Sequence, residues 1–205
     1  MPNADRPGRV VLLNGTSSAG KTTLARAIQD ESGTPFVHWG IDTLFGLVPP
    51  NRGGGRDGPL SRDGFWYDRT GSDADGRPSV VIHCGGFGRR VLRSAQLAAA
   101  AFARGGDDLV VDELLPAPDL LSGWAAALSG LEVLLVSVTC PLAVAERRER
   151  ERSNPVGPAR GHFGAVHDHG VPYDLTVDTT SGTPAEPART VLAALDRSTR
   201  TGIPV

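Results

Sequence analysis

An α/β domain, built on a parallel sheet with helices on both faces, is the fold class that this sequence predicts. Short apolar runs alternate with stretches of helical periodicity, and a Gly-rich turn joins the first such pair. With 205 residues the chain has room for one domain with a full core and hardly for two. We therefore expect residues 1–205 to form a single domain.

The apolar runs predict the strands of the sheet, at about 9–14, 35–39, 108–112, 132–138 and 174–178. The periodic stretches predict helices, at about 20–31, 42–47, 84–104, 117–128, 141–152 and 184–196. Their alternation along the chain is typical of parallel strands that are joined by crossover helices.

The Gly-rich turn fits the phosphate-binding pattern G-x-x-x-x-G-K-[ST] at every defined position. It lies between a predicted strand and a predicted helix, which is the setting that the mechanism requires. Backbone N–H groups of such a loop surround phosphates, and the helix N-terminus adds partial positive charge. The predicted residues of this nucleotide site are Gly15, Thr16, Ser17, Ser18, Ala19, Gly20, Lys21, Thr22 and Thr23.

Two residues of the loop have predicted roles beyond cradling phosphate. Lys21 is the only lysine of the chain, which contains twenty arginines. Its ammonium is a compact charge on a flexible stem, and we expect it to reach the β- and γ-phosphates of a nucleoside triphosphate. The Thr22 hydroxyl is the expected ligand for Mg²⁺.

Carboxylates at the ends of predicted strands are further candidates for chemistry. Asp112 ends an apolar run, as in a Walker B strand, and is expected to hold Mg²⁺; an ordinary charged strand end is the alternative. The role of its neighbour Glu113 stays open. Asp42 follows the second predicted strand, where transfer to an alcohol needs a group that accepts the hydroxyl proton. A helix N-cap explains Asp42 equally well, and the two roles are compatible.

Two segments interrupt the alternation and are expected to cover the site. Residues 49–79 predict a structureless loop that forms a substrate-side lid or insertion. Their aromatic triplet 65–67 is either a local hydrophobic anchor or a contact for ligand rings. Residues 147–170 predict a nucleotide lid. Arg148 and Arg152 lie four apart, so they either address the triphosphate or belong to a solvated, salt-bridged helix face.

Composition and charge argue against several classes of protein. A formal charge of −2 leaves no basic footprint for nucleic acid or an anionic membrane. No apolar run approaches the roughly 20 residues of a membrane span. The polar N-terminus and the lack of a CxxC pair favour a cytoplasmic protein without disulfides. A guanine-specific GTPase would need an Asn-Lys-x-Asp segment, and the chain has no second lysine to supply it.

Two further features have a plain structural explanation beside a functional one. His162, His167 and His169 are too loosely spaced, and too far from any cysteine, to predict a metal site. The small residues of 95–103 fit a helix interface between two copies, as in a homo-oligomer, or packing on the sheet. The sequence does not decide between these two explanations of 95–103.

The chain resembles the chloramphenicol phosphotransferase family. The phosphate loop alone is generic, whereas three motifs together are specific to that family. They are Asn-Gly-x-Ser-Ser-Ala-Gly-Lys at 14–21, Gly-Ile-Asp at 40–42 and Val-Asp-Thr-Thr at 177–180. Segments 110–113, 140–149 and 170–176 are similar as well, so that the resemblance spans most of residues 9–195.

The resemblance implies a P-loop kinase fold, a three-layer sandwich with a five-stranded parallel sheet in the order 2-3-1-4-5 and helical lids. It implies ATP- and Mg²⁺-dependent phosphorylation of a hydroxyl on a small molecule such as chloramphenicol or another antibiotic. The family's catalytic aspartate falls on Asp42, and its lid arginines fall on Arg148 and Arg152. The alternatives are a metabolite kinase, for a nucleoside, shikimate or gluconate, and a protein that binds its acceptor with ATP but transfers nothing.

Overall fold

The computed structural model of the chain describes residues 6–53, 59–115, 118–152, 156–199 and 201–204. Its strands are β1 (Val10–Asn14), β2 (Phe36–Gly40), β3 (Phe65–Ser72), β4 (Pro78–Cys84), β5 (Asp108–Glu113), β6 (Val133–Thr139) and β7 (Leu175–Asp178). Five of them form a parallel sheet in the order β2-β5-β1-β6-β7. Counted among the parallel strands alone, this is 2-3-1-4-5, so the predicted fold class and strand order are confirmed.

The helices lie between the strands as the periodicity predicts. They are α1 (Lys21–Glu31), α2 (Ile41–Leu47), α3 (Pro59–Asp63), α4 (Gly86–Arg104), α5 (Pro118–Ala127), α6 (Leu142–Glu151), α7 (Pro158–Phe163) and α8 (Ala185–Arg197), with a 3-10 helix at Ala165–His167. Every predicted strand and helix forms, and the described ends agree to within about two residues. The predicted start of the fourth helix at 117 lies outside the described residues.

Strand β1 is buried along its whole length because helices cover both faces of the sheet. Val11 and Leu13 pack in a core with α1 and α8, while Val10 and Leu12 pack in a second core with α4 and α5. The small residues of 95–103 belong largely to the sheet-facing side of α4, where Ala99, Ala100 and Ala103 are buried. Packing on the sheet therefore accounts for these three alanines, whereas Ala98 and Ala101 are exposed.

The prediction of a structureless loop over 49–79 is wrong for most of that segment. Short helix α3 and the antiparallel hairpin β3–β4 fill it, with Phe65 opposite Cys84 and Ser72 opposite Pro78. Strand β4 carries the β-branched run 80–82, which favours an extended backbone. Residues 54–58 of the segment lie outside the described residues.

The second predicted cover, 147–170, is largely helical. It contains the end of α6, all of α7 and the 3-10 helix, and residues 153–155 lie outside the description. Helix α7 begins with Pro158, whose fixed backbone angle suits the first turn of a helix. Among the described helices, none is both long enough and apolar enough to cross a membrane.

Candidate active site

The predicted phosphate loop connects β1 to α1 at the carboxyl edge of the sheet. Gly20 immediately precedes α1 and has φ 97°, a left-handed conformation that glycine adopts without strain. A Cβ at this position would lie 3.3 Å from the Thr179 hydroxyl, so the loop also needs the small residue for space. The Ser18 hydroxyl is buried, and within the described residues it has no hydrogen-bond partner. A buried donor of this kind inside such a loop fits a phosphate oxygen.

Lys21 is the first residue of α1, and its side chain reaches back into the phosphate loop. Its side chain is buried, and Nζ donates hydrogen bonds of 2.9 Å to the carbonyls of Gly15 and Thr16. Burial lowers the pKa of Lys21, while the charges of Asp112, Glu113 and Asp42 oppose that effect. The ammonium therefore sits between the phosphate loop and the acidic groups of the neighbouring strand ends.

The predicted magnesium ligands Thr22 and Asp112 are in contact. Thr22 Oγ1 donates a hydrogen bond of 2.5 Å to Asp112 Oδ2, and His38 Nε2 lies 3.5 Å from the same oxygen. Burial alone would raise the pKa of Asp112, but the nearby His38 imidazole, the charge of Lys21 and the hydrogen bond from Thr22 lower it. An ionised carboxylate beside a hydroxyl is a set of hard oxygen donors, which fits Mg²⁺.

In the described parts of the chain, no group of three or more His, Cys, Asp or Glu side chains is arranged to hold a metal ion. His162 Nε2 accepts the Ile82 N–H at 3.0 Å, while His167 and His169 each lie 2.8 Å from the Tyr173 hydroxyl.

The two lid arginines border one cavity, of about 170 Å³. Arg148 Nη2 donates to the Thr179 carbonyl at 2.5 Å, and Nη1 lies 3.5 Å from the Ser18 carbonyl, which ties α6 to the phosphate loop. Arg152 lies one turn further along the same helix face. The other lining residues are Gly20, Thr23, Leu24, Thr179, Ser181, Gly182, Thr183, Pro184 and Pro187. No site residue was predicted within 179–187, although the Val-Asp-Thr-Thr motif at 177–180 overlaps this segment.

Asp42 lies in the first turn of α2 and borders a second cavity, of about 250 Å³. Gly40 occupies the N-cap position of α2 and no side chain caps the helix, so the N-cap interpretation of Asp42 is wrong. The cavity is also lined by Ser17 of the phosphate loop, so it opens onto the predicted phosphate site. Its remaining lining is Ile41, Phe45, Phe65, Tyr67, Ile82, His83, Cys84, Leu92, Gln96, Glu113, Leu114, Leu115, Leu120, Trp124 and Pro158.

Two members of the aromatic triplet line this cavity, and the third does not. Phe65 is buried and packs edge-on against the ring of Phe45, with 5.1 Å between the ring centroids. Both Phe65 and Tyr67 line the cavity. Trp66 instead stacks on His83 at 4.3 Å. The structure thus supports a ligand contact for part of the triplet and a local anchor for Trp66.

Glu113, whose role the sequence left open, lies in the same cavity as Asp42. It is 4% exposed, and burial together with the charge of Asp112 raises its pKa to about 8. A carboxyl group with that pKa is largely protonated at neutral pH, and a protonated carboxyl can donate a hydrogen bond. The cavity therefore presents a second carboxyl group to its contents.

The predicted phosphate loop, the hydroxyl–carboxylate pair of Thr22 and Asp112, two arginines and a separate cavity bordered by Asp42 lie at one sheet edge. This fold and site define a P-loop phosphotransferase. The family model described as chloramphenicol phosphotransferase-like protein matches residues 8–196. The chain belongs to this family, which confirms the resemblance found in the sequence.

Comparisons with individual proteins agree. Two strains of Mycobacterium tuberculosis, CDC 1551 / Oshkosh and H37Rv, each have a protein named "Putative O-phosphotransferase" that is 31% identical over 183 residues, or 89% of this chain and 80% of the relative. The M. tuberculosis APS kinase solved with AMPPNP and APS superposes with a TM-score of 0.58 at 20% identity, over 94% of this chain and 99% of that one. A Sinorhizobium meliloti 1021 gluconokinase gives 0.59 at 20% identity, over 94% of each chain. These two structures support the fold.

Proposed function

We propose that this protein transfers the γ-phosphoryl group of ATP to a hydroxyl group of a small, uncharged acceptor. The observation that carries the proposal is the shared wall of the acceptor cavity, which Asp42 and Ser17 of the phosphate loop both line. A hydroxyl held there would lie between a carboxylate and the end of a bound triphosphate. That is the arrangement that phosphoryl transfer to an alcohol requires.

Different described residues would have different roles in such a transfer. Lys21, Arg148 and Arg152 would neutralise the phosphates, and the Gly15–Thr23 backbone would hold them in place. Thr22 and Asp112 would hold Mg²⁺, which supplies charge neutralisation at the phosphates. Asp42 would orient the acceptor hydroxyl and accept its proton as the oxygen–phosphorus bond forms.

The lining of the acceptor cavity favours an uncharged acceptor with an apolar ring. No arginine or lysine is among the described residues that line it, whereas two carboxyl groups are, Asp42 and Glu113. An anionic acceptor would meet the Asp42 carboxylate, with no arginine or lysine among these lining residues to balance the charge, which costs binding energy. APS and gluconate, the acceptors of the neighbouring kinases, are such anions. Phe45, Phe65 and Tyr67 instead offer ring contacts, so chloramphenicol and other neutral antibiotics with a hydroxyl are the first candidates.

Mass spectrometry of reactions with ATP, Mg²⁺ and a panel of acceptors tests this proposal. The panel contains chloramphenicol, other hydroxyl-bearing antibiotics, nucleosides, shikimate and gluconate. We expect a phosphate-sized mass gain on a neutral compound and none on shikimate or gluconate. A gain only on an anion would contradict the acceptor class and favour a metabolite kinase. ATP-dependent acceptor binding with no phosphorylated product would favour a non-catalytic binding protein.

Asp42→Asn tests the proposed base with whichever compound reacts. The amide keeps the size of the side chain but cannot take up the proton. We expect transfer to fall by at least about 100-fold, the scale of general base catalysis, while ATP affinity stays close to that of the wild type. Asp30→Asn, on the exposed side of α1, is the matched control. Full turnover in the Asp42 variant would remove this residue from the role of base.

A further inference from the structure

Helix α7 contacts both the phosphate loop and the lid helix α6, which carries Arg148. The Thr16 hydroxyl donates a hydrogen bond of 2.7 Å to the Ala159 carbonyl in the first turn of α7. Glu149 of α6 is fully buried and accepts the N–H groups of Gly157 and Ala159, at 3.1 and 2.6 Å. The start of α7 is therefore fixed to the nucleotide side of the molecule by three buried hydrogen bonds.

The same helix also lies along strand β4 of the acceptor-side hairpin. The Val80 N–H donates to the Gly157 carbonyl at 3.1 Å, and the Ile82 N–H donates to His162 Nε2 at 3.0 Å. A Cβ at Gly161 would lie 2.0 Å from the Val80 carbonyl oxygen, so only glycine permits this close approach. Ile82 lines the acceptor cavity, so α7 supports one wall of that cavity from behind.

Arg160 of α7 joins the two sides by charge. Its guanidinium pairs with Asp73, in the turn of the hairpin, and with Glu146, on the lid helix α6. The Arg160 side chain is only 11% exposed, so solvent screens these pairs less than it screens an ion pair on the open surface. Glu146 lies two residues before Arg148, which reaches the phosphate loop.

We propose that Arg160 is a positioning residue that couples the nucleotide lid to the acceptor-side hairpin. A nucleotide that binds Arg148 and Arg152 would restrict the motion of α6. The ion pairs of Arg160 with Glu146 and Asp73 would pass this restriction on to the hairpin that forms part of the acceptor cavity. By thermodynamic reciprocity, an acceptor in the cavity would also tighten nucleotide binding. This inference rests on the proposed nucleotide site but does not depend on which acceptor is used.

Hydrogen exchange with and without Mg²⁺ and AMPPNP tests the coupling without an acceptor. In the wild-type protein we expect the nucleotide to slow exchange in the phosphate loop. We also expect it to slow exchange at the Val80 and Ile82 amides by at least about fivefold, the lower range of allosteric coupling. Slowing in the phosphate loop without any at these two amides would overturn the coupling and leave the nucleotide site intact. No slowing at the phosphate loop would overturn both.

Three variants separate coupling from plain stability. Arg160→Gln removes both ion pairs, and we expect it to keep the protection of the phosphate loop while the effect at Val80 and Ile82 falls below about twofold. Asp73→Asn is the milder change, because an amide oxygen can still accept the turn N–H groups of Asp75 and Arg77. It should weaken the hairpin response in the same way. Arg77→Gln, in the same turn and 61% exposed, is the matched control.

The outcomes are distinct even if Arg160→Gln folds poorly. Loss of the hairpin response in Asp73→Asn at an unchanged melting temperature supports the coupling, because a merely structural role would not remove the response to nucleotide. A wild-type hairpin response in Asp73→Asn, or in a folded Arg160→Gln protein, would overturn it. Arg160→Lys should restore part of the response, since an ammonium keeps the charge but not the two-armed geometry.

Discussion

The hydroxyl of Thr22 and the carboxylate of Asp112 form a hydrogen bond of 2.5 Å, although 90 residues separate them in the chain. The sheet brings them together, because β1 and β5 are neighbours and the register pairs Leu13 with Asp112. The phosphate loop then carries the chain from β1 to Thr22 at the start of α1. A hydroxyl and a carboxylate at this point are the protein groups that a nucleotide-bound Mg²⁺ uses in P-loop proteins.

Asp112→Asn is expected to remove the response of nucleotide binding to Mg²⁺. The amide keeps the shape of the side chain and can still accept the Thr22 bond, but it lacks the negative charge that attracts the cation. We expect similar ATP affinity to the wild type in EDTA, and a gain on adding Mg²⁺ that is smaller by at least about 10-fold. Isothermal titration calorimetry with and without Mg²⁺ measures both values. A full Mg²⁺ response in this variant would rule out Asp112 as a ligand, and Asp30→Asn serves as the control.

Chemical labelling of Lys21 can detect nucleotide binding, because this residue carries the only ε-amino group of the chain. Its Nζ lies inside the phosphate loop, so a bound triphosphate would cover it. We expect an amine-reactive reagent to label Lys21 about 100-fold less when nucleotide is present at about 100 times its Kd. Mass spectrometry of the labelled peptide gives the measurement, and an added peptide with one lysine provides the reference. Equal labelling of Lys21 with and without Mg²⁺ and ATP would place the nucleotide elsewhere.

Arg148 and Arg147 are adjacent on α6 but have different surroundings. Arg148 donates to the Thr179 carbonyl beside the nucleotide cavity, whereas Arg147 is 58% exposed and pairs with Glu151 at 3.7 Å. Lysine lacks the fork geometry that lets Arg148 bond the loop and face the phosphates together. We expect Arg148→Lys to raise the Kd for ATP by about 10- to 100-fold, the range for hydrogen bonds to charged groups. Arg147→Lys should change it little, and equal effects in the two variants would contradict the assignment.

The position of the predicted nucleotide-site residues at one sheet edge could be derived from the sequence, because each of them follows directly on an apolar run. The loop 15–22 is continuous in the chain, and Asp42 and Asp112 each follow an apolar run whose end must lie at one sheet edge. The 2-3-1-4-5 order came from the resemblance, and the structure agrees. The lid arginines were predicted from their spacing of four, and Arg152, directly after the end of α6, lies one turn beyond Arg148.

The hairpin and its support by α7 could not be predicted in the same way. Gly, Asp and Arg surround β3, and Pro78 opens β4, so the segment has the composition of a loop. The β-branched run 80–82 and the aromatic triplet 65–67 were the signals for strands. What stabilises that strand is distant in sequence, since Gly157 and His162 bond it from about 80 residues away. Contacts of this kind leave no periodic pattern.

We expect His162 to make the stability of the protein depend on pH. It is 1% exposed, and burial is the main reason that its pKa falls from 6.5 to about 4. Its Nε2 accepts the Ile82 N–H, so protonation would also break that hydrogen bond. Because the folded-state pKa lies below the unfolded value, the unfolded chain takes up the proton first as the pH falls. The free energy of unfolding should therefore drop by up to about 3 kcal/mol between about pH 6.5 and pH 4, with no contribution above that window.

His162→Gln isolates this effect from the other histidines. The Gln side chain can still offer an oxygen to the Ile82 N–H but does not titrate. His167 and His169, whose pKa values burial also lowers, continue to destabilise the variant at low pH. We expect urea unfolding at a series of pH values to show a shallower loss of stability below pH 6.5 in the variant than in the wild type. Parallel pH profiles would mean that His162 is not held in its neutral form by the folded structure.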